Sequence, residues 1–80
     1  MIDAESVLVE LRLAVSTEFR SLRTRNGLSQ GQVAALLESS QSRVAKMEAS
    51  DASMSLDLLL RALISLGASR QDIARAISRS

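Results

Sequence analysis

The sequence contains no cysteine, no histidine and no proline, and Phe19 is its only aromatic residue. Without cysteine, disulfide bonds and thiolate zinc sites are excluded. Because histidine is missing too, the chain lacks the commonest general base, the best metal ligand and the best nucleophile. Its carboxylates are scattered and form no calcium-binding loop. We therefore expect no enzymatic activity, no cofactor and no bound metal.

Glycine is scarce as well, with only Gly27, Gly31 and Gly67. Sheets and barrels need more turn residues than this. Hydrophobic residues make up 46% of the chain, and their helical spacing predicts an all-α fold. At 80 residues we expect one domain, 1–80, with a thin core that pairing with a second copy would help to stabilise.

Long apolar runs and a basic N-terminus are also missing. No run approaches the roughly 20 residues that span a bilayer. The first residues include Asp3 and Glu5, where a signal peptide would be basic. These features predict a soluble cytoplasmic protein with no membrane contact.

Charges of the two signs are unevenly distributed, although the net charge is only +1. Residues 1–19 sum to −3, residues 20–46 to +4 and residues 47–80 to zero, which together give the net +1. A basic middle segment after an acidic one predicts that one face of the protein meets phosphate.

Capping residues and apolar spacing predict five helices in a compact bundle. The first runs from Asp3 to Arg25 and stops at Asn26 and Gly27. It is longer than a small bundle needs, so residues 1–15 form an N-terminal extension that either thickens the core or binds a partner. Four serine caps begin the later helices, namely Ser29, Ser40, Ser55 and Ser69. The second to fourth helices are expected to end near Leu37 or Glu38, at Ala49 and at Gly67, respectively.

The segment 28–48 reads LSQGQVAALLESSQSRVAKME and resembles the helix-turn-helix of the Cro/repressor (XRE) family, which places the motif at residues 29–49. The resemblance covers roughly residues 16–66. It implies a lambda-repressor-like bundle with a central helix-turn-helix, whose helix from Ser40 to Ala49 enters the DNA major groove. It also implies a homodimer that binds a palindromic operator in double-stranded DNA.

The resemblance assigns DNA contacts residue by residue. Gln41, Ser42 and Arg43 are expected to contact bases, since glutamine suits adenine, arginine suits guanine, and serine bonds base or phosphate. Gln30 is expected to anchor a phosphate and to brace Gln41. The full set of expected backbone contacts is Gln30, Ser40, Lys46, Arg23, Arg25, Ser53 and Ser55.

Three residues depart from the family's pattern. Glu38 stands where the turn usually has glycine, Ser39 where an apolar residue usually follows, and Ser50 where a second glycine usually ends the third helix. A non-glycine residue with positive φ costs about 1 kcal/mol. We therefore expect a strained turn that also lacks one buried side chain.

The fourth and fifth helices carry more apolar residues than one face needs. These residues form either the monomer core or a homodimer interface that includes Leu63, Ile73 and Ile77. We favour the homodimer interface. Three functions stay open: a transcriptional repressor, an antitoxin that neutralises a toxin and represses their shared operon, and a helical interaction module that no longer binds DNA.

Overall fold

The computed structural model describes residues 3–79, which form five α-helices and no strand. Their bounds are α1 (Ala4–Arg25), α2 (Gln30–Leu36), α3 (Gln41–Glu48), α4 (Leu56–Ser65) and α5 (Arg70–Ser78). The predicted all-α, five-helix bundle is therefore confirmed. The first two residues of the predicted extension and Ser80 lie outside the described residues.

The helices begin where the capping residues predict. In each of α2 to α5, the cap serine accepts a hydrogen bond from the backbone N–H three residues further on. Ser29 with Gln32 and Ser69 with Asp72 close reciprocal capping boxes. Asp3 caps α1 through the N–H of Glu5. Local hydrogen bonding alone thus fixes all five starting points.

Four helices end in one hydrogen-bond pattern. At the end of α2, the N–H of Glu38 bonds to the carbonyl of Ala35, and the N–H of Ser39 bonds to that of Ala34. This is the Schellman motif, which puts one residue in the left-handed conformation. The same pair of bonds ends α1, α3 and α4, and the left-handed residues there are Gly27, Ser50 and Gly67. The predicted positive φ at Glu38 and Ser50 is therefore confirmed.

The core forms where α1 packs against α3, α4 and α5, while α2 packs against α3. Phe19 and Val15 from α1 meet Leu59 and Leu63 from α4, and all four are fully buried. Leu63 has no surface left for a second chain, so the prediction that Leu63 lies in a dimer interface is wrong. In so small a bundle the core is thin, and Leu63 is one of the side chains that fill it.

The N-terminal half of α1 projects past this core. Leu8, Val9 and Leu13 are each about half exposed, at 49%, 52% and 57%. Because these side chains stay in contact with solvent, this part of α1 adds little to the core. These three side chains form a partly exposed apolar surface on this half of α1.

The described part of the chain contains neither a membrane-spanning helix nor a group of metal-binding side chains. No helix within residues 3–79 has the length and apolar content needed to cross a membrane. No group of three or more acidic, histidine or cysteine side chains in the same range comes together to hold a metal ion.

Candidate nucleic-acid interface

A tight turn joins α2 to α3. Leu37, Glu38 and Ser39 are the residues between the end of α2 and the cap of α3, and Ser40 then caps α3 through the N–H of Arg43. The left-handed φ of 53° at Glu38 lets the chain reverse within these few residues. Two packed helices joined by so short a turn form the arrangement of a helix-turn-helix.

The inner face of α3 is locked into the core. Val44 is fully buried and Met47 is 3% exposed. On α2, Val33 and Ala34 are also buried, and the small side chain of Ala34 lies where the two helices pack. The orientation of α3 is thus fixed by packing before any ligand binds.

Glu48, the last residue of α3, is held by three side-chain bonds. Its Oε2 lies 2.5 Å from Nε of Arg23, and its Oε1 accepts from Nη2 of Arg23 at 2.9 Å and from Nε2 of Gln30 at 3.3 Å. The remaining Nη1 of Arg23 donates to the carbonyl of Leu28 at 2.9 Å. This cluster joins the ends of α1 and α3 to the start of α2.

The cluster also shifts the pKa of both charged partners. Burial alone raises the pKa of Glu48, but the hydrogen bonds from Arg23 and Gln30 and the charges of Arg23 and Arg20 outweigh burial and lower it. The hydrogen bond to Glu48 raises the pKa of Arg23. Both groups therefore stay charged at neutral pH, and the pair is strong because it is partly removed from water.

The outer face of α3 is exposed and unpaired. Gln41, Ser42, Arg43 and Lys46 are all exposed, and within residues 3–79 their side chains form neither a hydrogen bond nor an ion pair. The three predicted base-contacting residues therefore lie together on the first turn of α3, with Lys46 one turn further on. The arrangement combines polar and positive groups on a rigid helix, which is what base and phosphate recognition requires.

Four other predicted phosphate contacts already form side-chain hydrogen bonds within the protein. Ser40 and Ser55 lie at helix starts, where their hydroxyls accept capping bonds, and Ser53 bonds to Asp51. Gln30 donates to Glu48 rather than to Gln41, so the expected brace between the two glutamines is not formed.

The two predicted arginines of α1 already have partners within the protein. Arg23 has a side chain only 14% exposed, and its guanidinium is held by Glu48 and Leu28. Arg25 pairs with the buried carboxylate of Glu18 at 3.0 Å. Sequence reasoning missed Glu48 and Glu18 because their partners are known only once the helices are packed, and without the packing each resembles ordinary surface charge.

The fold and this site define a DNA-binding regulator of the helix-turn-helix type. A family model described as a helix-turn-helix domain matches residues 14–80, and the chain belongs to that family. The resemblance to Cro/repressor proteins is consistent with this match. The first half of α1 lies outside the matched residues. No curated protein and no solved structure matches the chain.

Proposed function

We propose that the protein is a transcriptional repressor that binds a palindromic operator as a homodimer and inserts α3 into the major groove. Gln41 reads adenine, Arg43 reads guanine and Ser42 bonds a base or phosphate. Gln30 and Lys46 hold the backbone, with Ser40, Ser53 and Ser55 at the neighbouring helix ends.

One observation carries this proposal. The face of α3 opposite the core presents four polar or positive side chains, and all four lack an internal partner within the described residues. By contrast, Arg23, Arg25, Arg61, Arg75 and Arg79 are all ion-paired. Unpaired cations on a rigid exposed helix are available to phosphates and base edges.

The test is a mobility shift with the DNA upstream of the protein's own gene, at several salt concentrations. We expect the double variant Gln41→Ala, Arg43→Ala to bind this DNA roughly 30-fold or more weakly, because each bidentate base contact contributes about 1–3 kcal/mol of discrimination. Its thermal unfolding midpoint should match the wild type, since both side chains are exposed and unpaired.

Residues Arg70 and Gln71 provide a matched control. Both are exposed on the first turn of α5, so Arg70→Ala, Gln71→Ala removes the same two side-chain types elsewhere. This control should bind DNA like the wild type. If the two double variants bind equally well, Gln41 and Arg43 are not the base contacts. If the wild type shows no salt-dependent DNA binding, the chain is a protein-interaction module instead.

The homodimer is a separate part of the proposal. Because Leu63 is buried in the monomer, the dimer is supported by two other residues of the predicted interface: Ile77 on α5, which is 37% exposed, and the half-buried Ile73. The two-fold symmetry of operators also favours a dimer. Sedimentation of the protein with operator DNA should give two chains per site. One chain per full operator would contradict the dimer and leave the assignment of α3 intact.

The second candidate is the antitoxin, and the N-terminal half of α1 favours it. This segment exposes Leu8, Val9 and Leu13 beside the carboxylates of Glu5 and Glu10, which form no ion pair within residues 3–79. An acidic, apolar surface repels DNA phosphate but suits a basic protein. Co-purification with the product of the adjoining reading frame, through residues of this half-helix, distinguishes an antitoxin from a repressor without a protein partner.

A further inference from the structure

The last turns of α1 carry three arginines, Arg20, Arg23 and Arg25, close to the start of α2. In Arg23, all three guanidinium nitrogens already have a partner, and the carboxylate of Glu48 takes two of them. Moving this side chain to a DNA phosphate would leave Glu48 as an unpaired carboxylate that is only 5% exposed. Arg23 therefore belongs to the framework of the site.

Arg25 is engaged on a different side. Its Nη2 bonds to Oε2 of Glu18, and its Nε bonds to the carbonyl of Ser21. Glu18 also accepts a bond from Arg79 and is 6% exposed, so its charge is balanced by two arginines. Arg25 is thus paired within α1, on a carboxylate that Arg79 at the end of α5 also binds.

Arg20 differs from both. It is exposed, and within residues 3–79 its side chain has no hydrogen bond and no ion pair. It lies one helical turn before Arg23, on a neighbouring part of the same surface. Arg23 shares the carboxylate of Glu48 with Gln30 at the start of α2. Arg20 thus lies one helical turn from the cluster that holds the predicted phosphate contact Gln30.

We propose that Arg20, rather than Arg23 or Arg25, is the arginine of α1 that binds a DNA phosphate, next to Gln30. This assignment rests on the proposed DNA binding. It extends the phosphate-contacting surface from α3 and α2 onto α1. As a phosphate contact, Arg20 adds affinity for every DNA sequence equally and carries no base preference.

The experiment measures the affinity of the full chain for its upstream DNA, and for a scrambled duplex of the same length, across a range of salt concentrations. We expect Arg20→Ala to reduce the slope of log K against log salt by about 0.9, the value for one lost phosphate contact. The loss should be the same on both duplexes. Arg20→Lys should keep the slope, because the charge remains.

Arg25→Ala is the matched control, since it removes an arginine five residues away on the same helix. Its slope should equal that of the wild type. The thermal unfolding midpoint of Arg20→Ala should not change, which separates phosphate binding from support of Glu48.

An unchanged slope for Arg20→Ala, or an equal fall for Arg25→Ala, would overturn the assignment while wild-type binding still supports a DNA-binding protein. A wild type that fails to bind either duplex would overturn both proposals.

Discussion

The helix-turn-helix (residues 29–49) and the frame around it (α1, α4 and α5) use the same helix ending with different residues. In the frame, the left-handed position is Gly27 with φ 68° or Gly67 with φ 106°. In the helix-turn-helix it is Glu38, and directly after α3 it is Ser50, both with φ 53°. The hydrogen bonds are the same in all four, so the pattern of bonds and packing dictates this conformation and the residue only sets its cost.

The two regions also differ in how they use charge. In the frame, Arg25 and Arg79 share Glu18, and Arg61 and Arg75 each pair within their own helix, whereas Arg20 and Arg70 form no ion pair among the described residues. On the helix-turn-helix, the exposed Arg43 and Lys46 stay unpaired among the described residues. Most arginines of the frame are therefore engaged in ion pairs, whereas both cations on the outer face of α3 remain available to a ligand.

The largest effect is expected where the two regions are joined, at Glu48. Glu48→Ala leaves the guanidinium of Arg23, which is 14% exposed, without its carboxylate partner. We expect a loss of about 2–4 kcal/mol in the free energy of unfolding, toward the lower end of values for buried pairs because Arg23 retains some contact with water. Urea denaturation at pH 7 measures it.

The exposed pair of Arg61 and Asp57 is the control for this prediction. Their side chains are 77% and 76% exposed, so Arg61→Ala should leave the free energy of unfolding nearly unchanged. Equal losses in the two variants would contradict a structural role for the Glu48 cluster.

The effect of Glu48 should also depend on pH. Its folded pKa lies below the ordinary value of 4.5, so the ion pair stabilises the fold above that pH. The stabilisation is lost as pH falls through the lower folded pKa. The difference between wild type and Glu48→Ala should therefore narrow below pH 4.5. The lowered pKa values of Asp51 and Asp72 act in both proteins and cancel in this difference.

The sequence predicts the features of this comparison that depend on neighbouring residues. The serine caps and the strain at Glu38 follow from local hydrogen bonding and backbone sterics, and the structure has them as predicted. The partners of Arg23 and Gln30 could not be predicted in the same way. Glu48 lies 25 residues from Arg23 in the chain, and only the packing of α1 against α3 brings them together.

The burial of Leu63 was missed for a related reason. Its helix is apolar on more than one face, and periodicity alone does not say which face the monomer covers. The structure places Leu63 in the core, whereas Ile64 beside it is 58% exposed. Assigning one residue to the core and its neighbour to the surface requires the position of α1.

Replacing Glu38 by glycine would give the end of α2 the same left-handed residue as the ends of α1 and α4. Glu38→Gly should raise the free energy of unfolding by about 0.5–1 kcal/mol, because glycine adopts φ 53° without the steric cost that other residues meet. Part of that gain is offset, since glycine also makes the unfolded chain more flexible. Glu38 has no ion-pair partner among residues 3–79, so no charge interaction is lost. Thermal and urea unfolding both measure the change.

The reverse substitution, at the left-handed glycine that follows α4, tests the same steric cost in the frame. Gly67→Ala should lower the free energy of unfolding by about 1 kcal/mol. A methyl group at Gly67 meets no atom within 4 Å, so the loss would arise from the backbone conformation alone. If Glu38→Gly destabilises the protein, Glu38 makes a favourable interaction that outweighs its strain.

Ser39, the second unusual residue of the turn, should give an effect of similar size to Glu38→Gly. Its Oγ is buried and has no hydrogen-bond partner within the described part of the chain, as is also true of Ser16 in α1. A buried hydroxyl without a partner costs free energy, so we expect Ser39→Ala and Ser16→Ala each to stabilise by roughly 0.5–1 kcal/mol.

Ser40, the very next residue, should respond with the opposite sign. Its hydroxyl caps α3 through the N–H of Arg43, so Ser40→Ala should cost about 1 kcal/mol. The two neighbouring serines therefore test separately whether the unsatisfied hydroxyl of Ser39 lowers the stability of the turn and whether the satisfied hydroxyl of Ser40 raises it. A loss of stability in Ser39→Ala as well would mean that its hydroxyl is bonded in solution, because an alanine at a half-buried site loses little else. The cost of the unusual turn would then lie in the backbone of Glu38 alone.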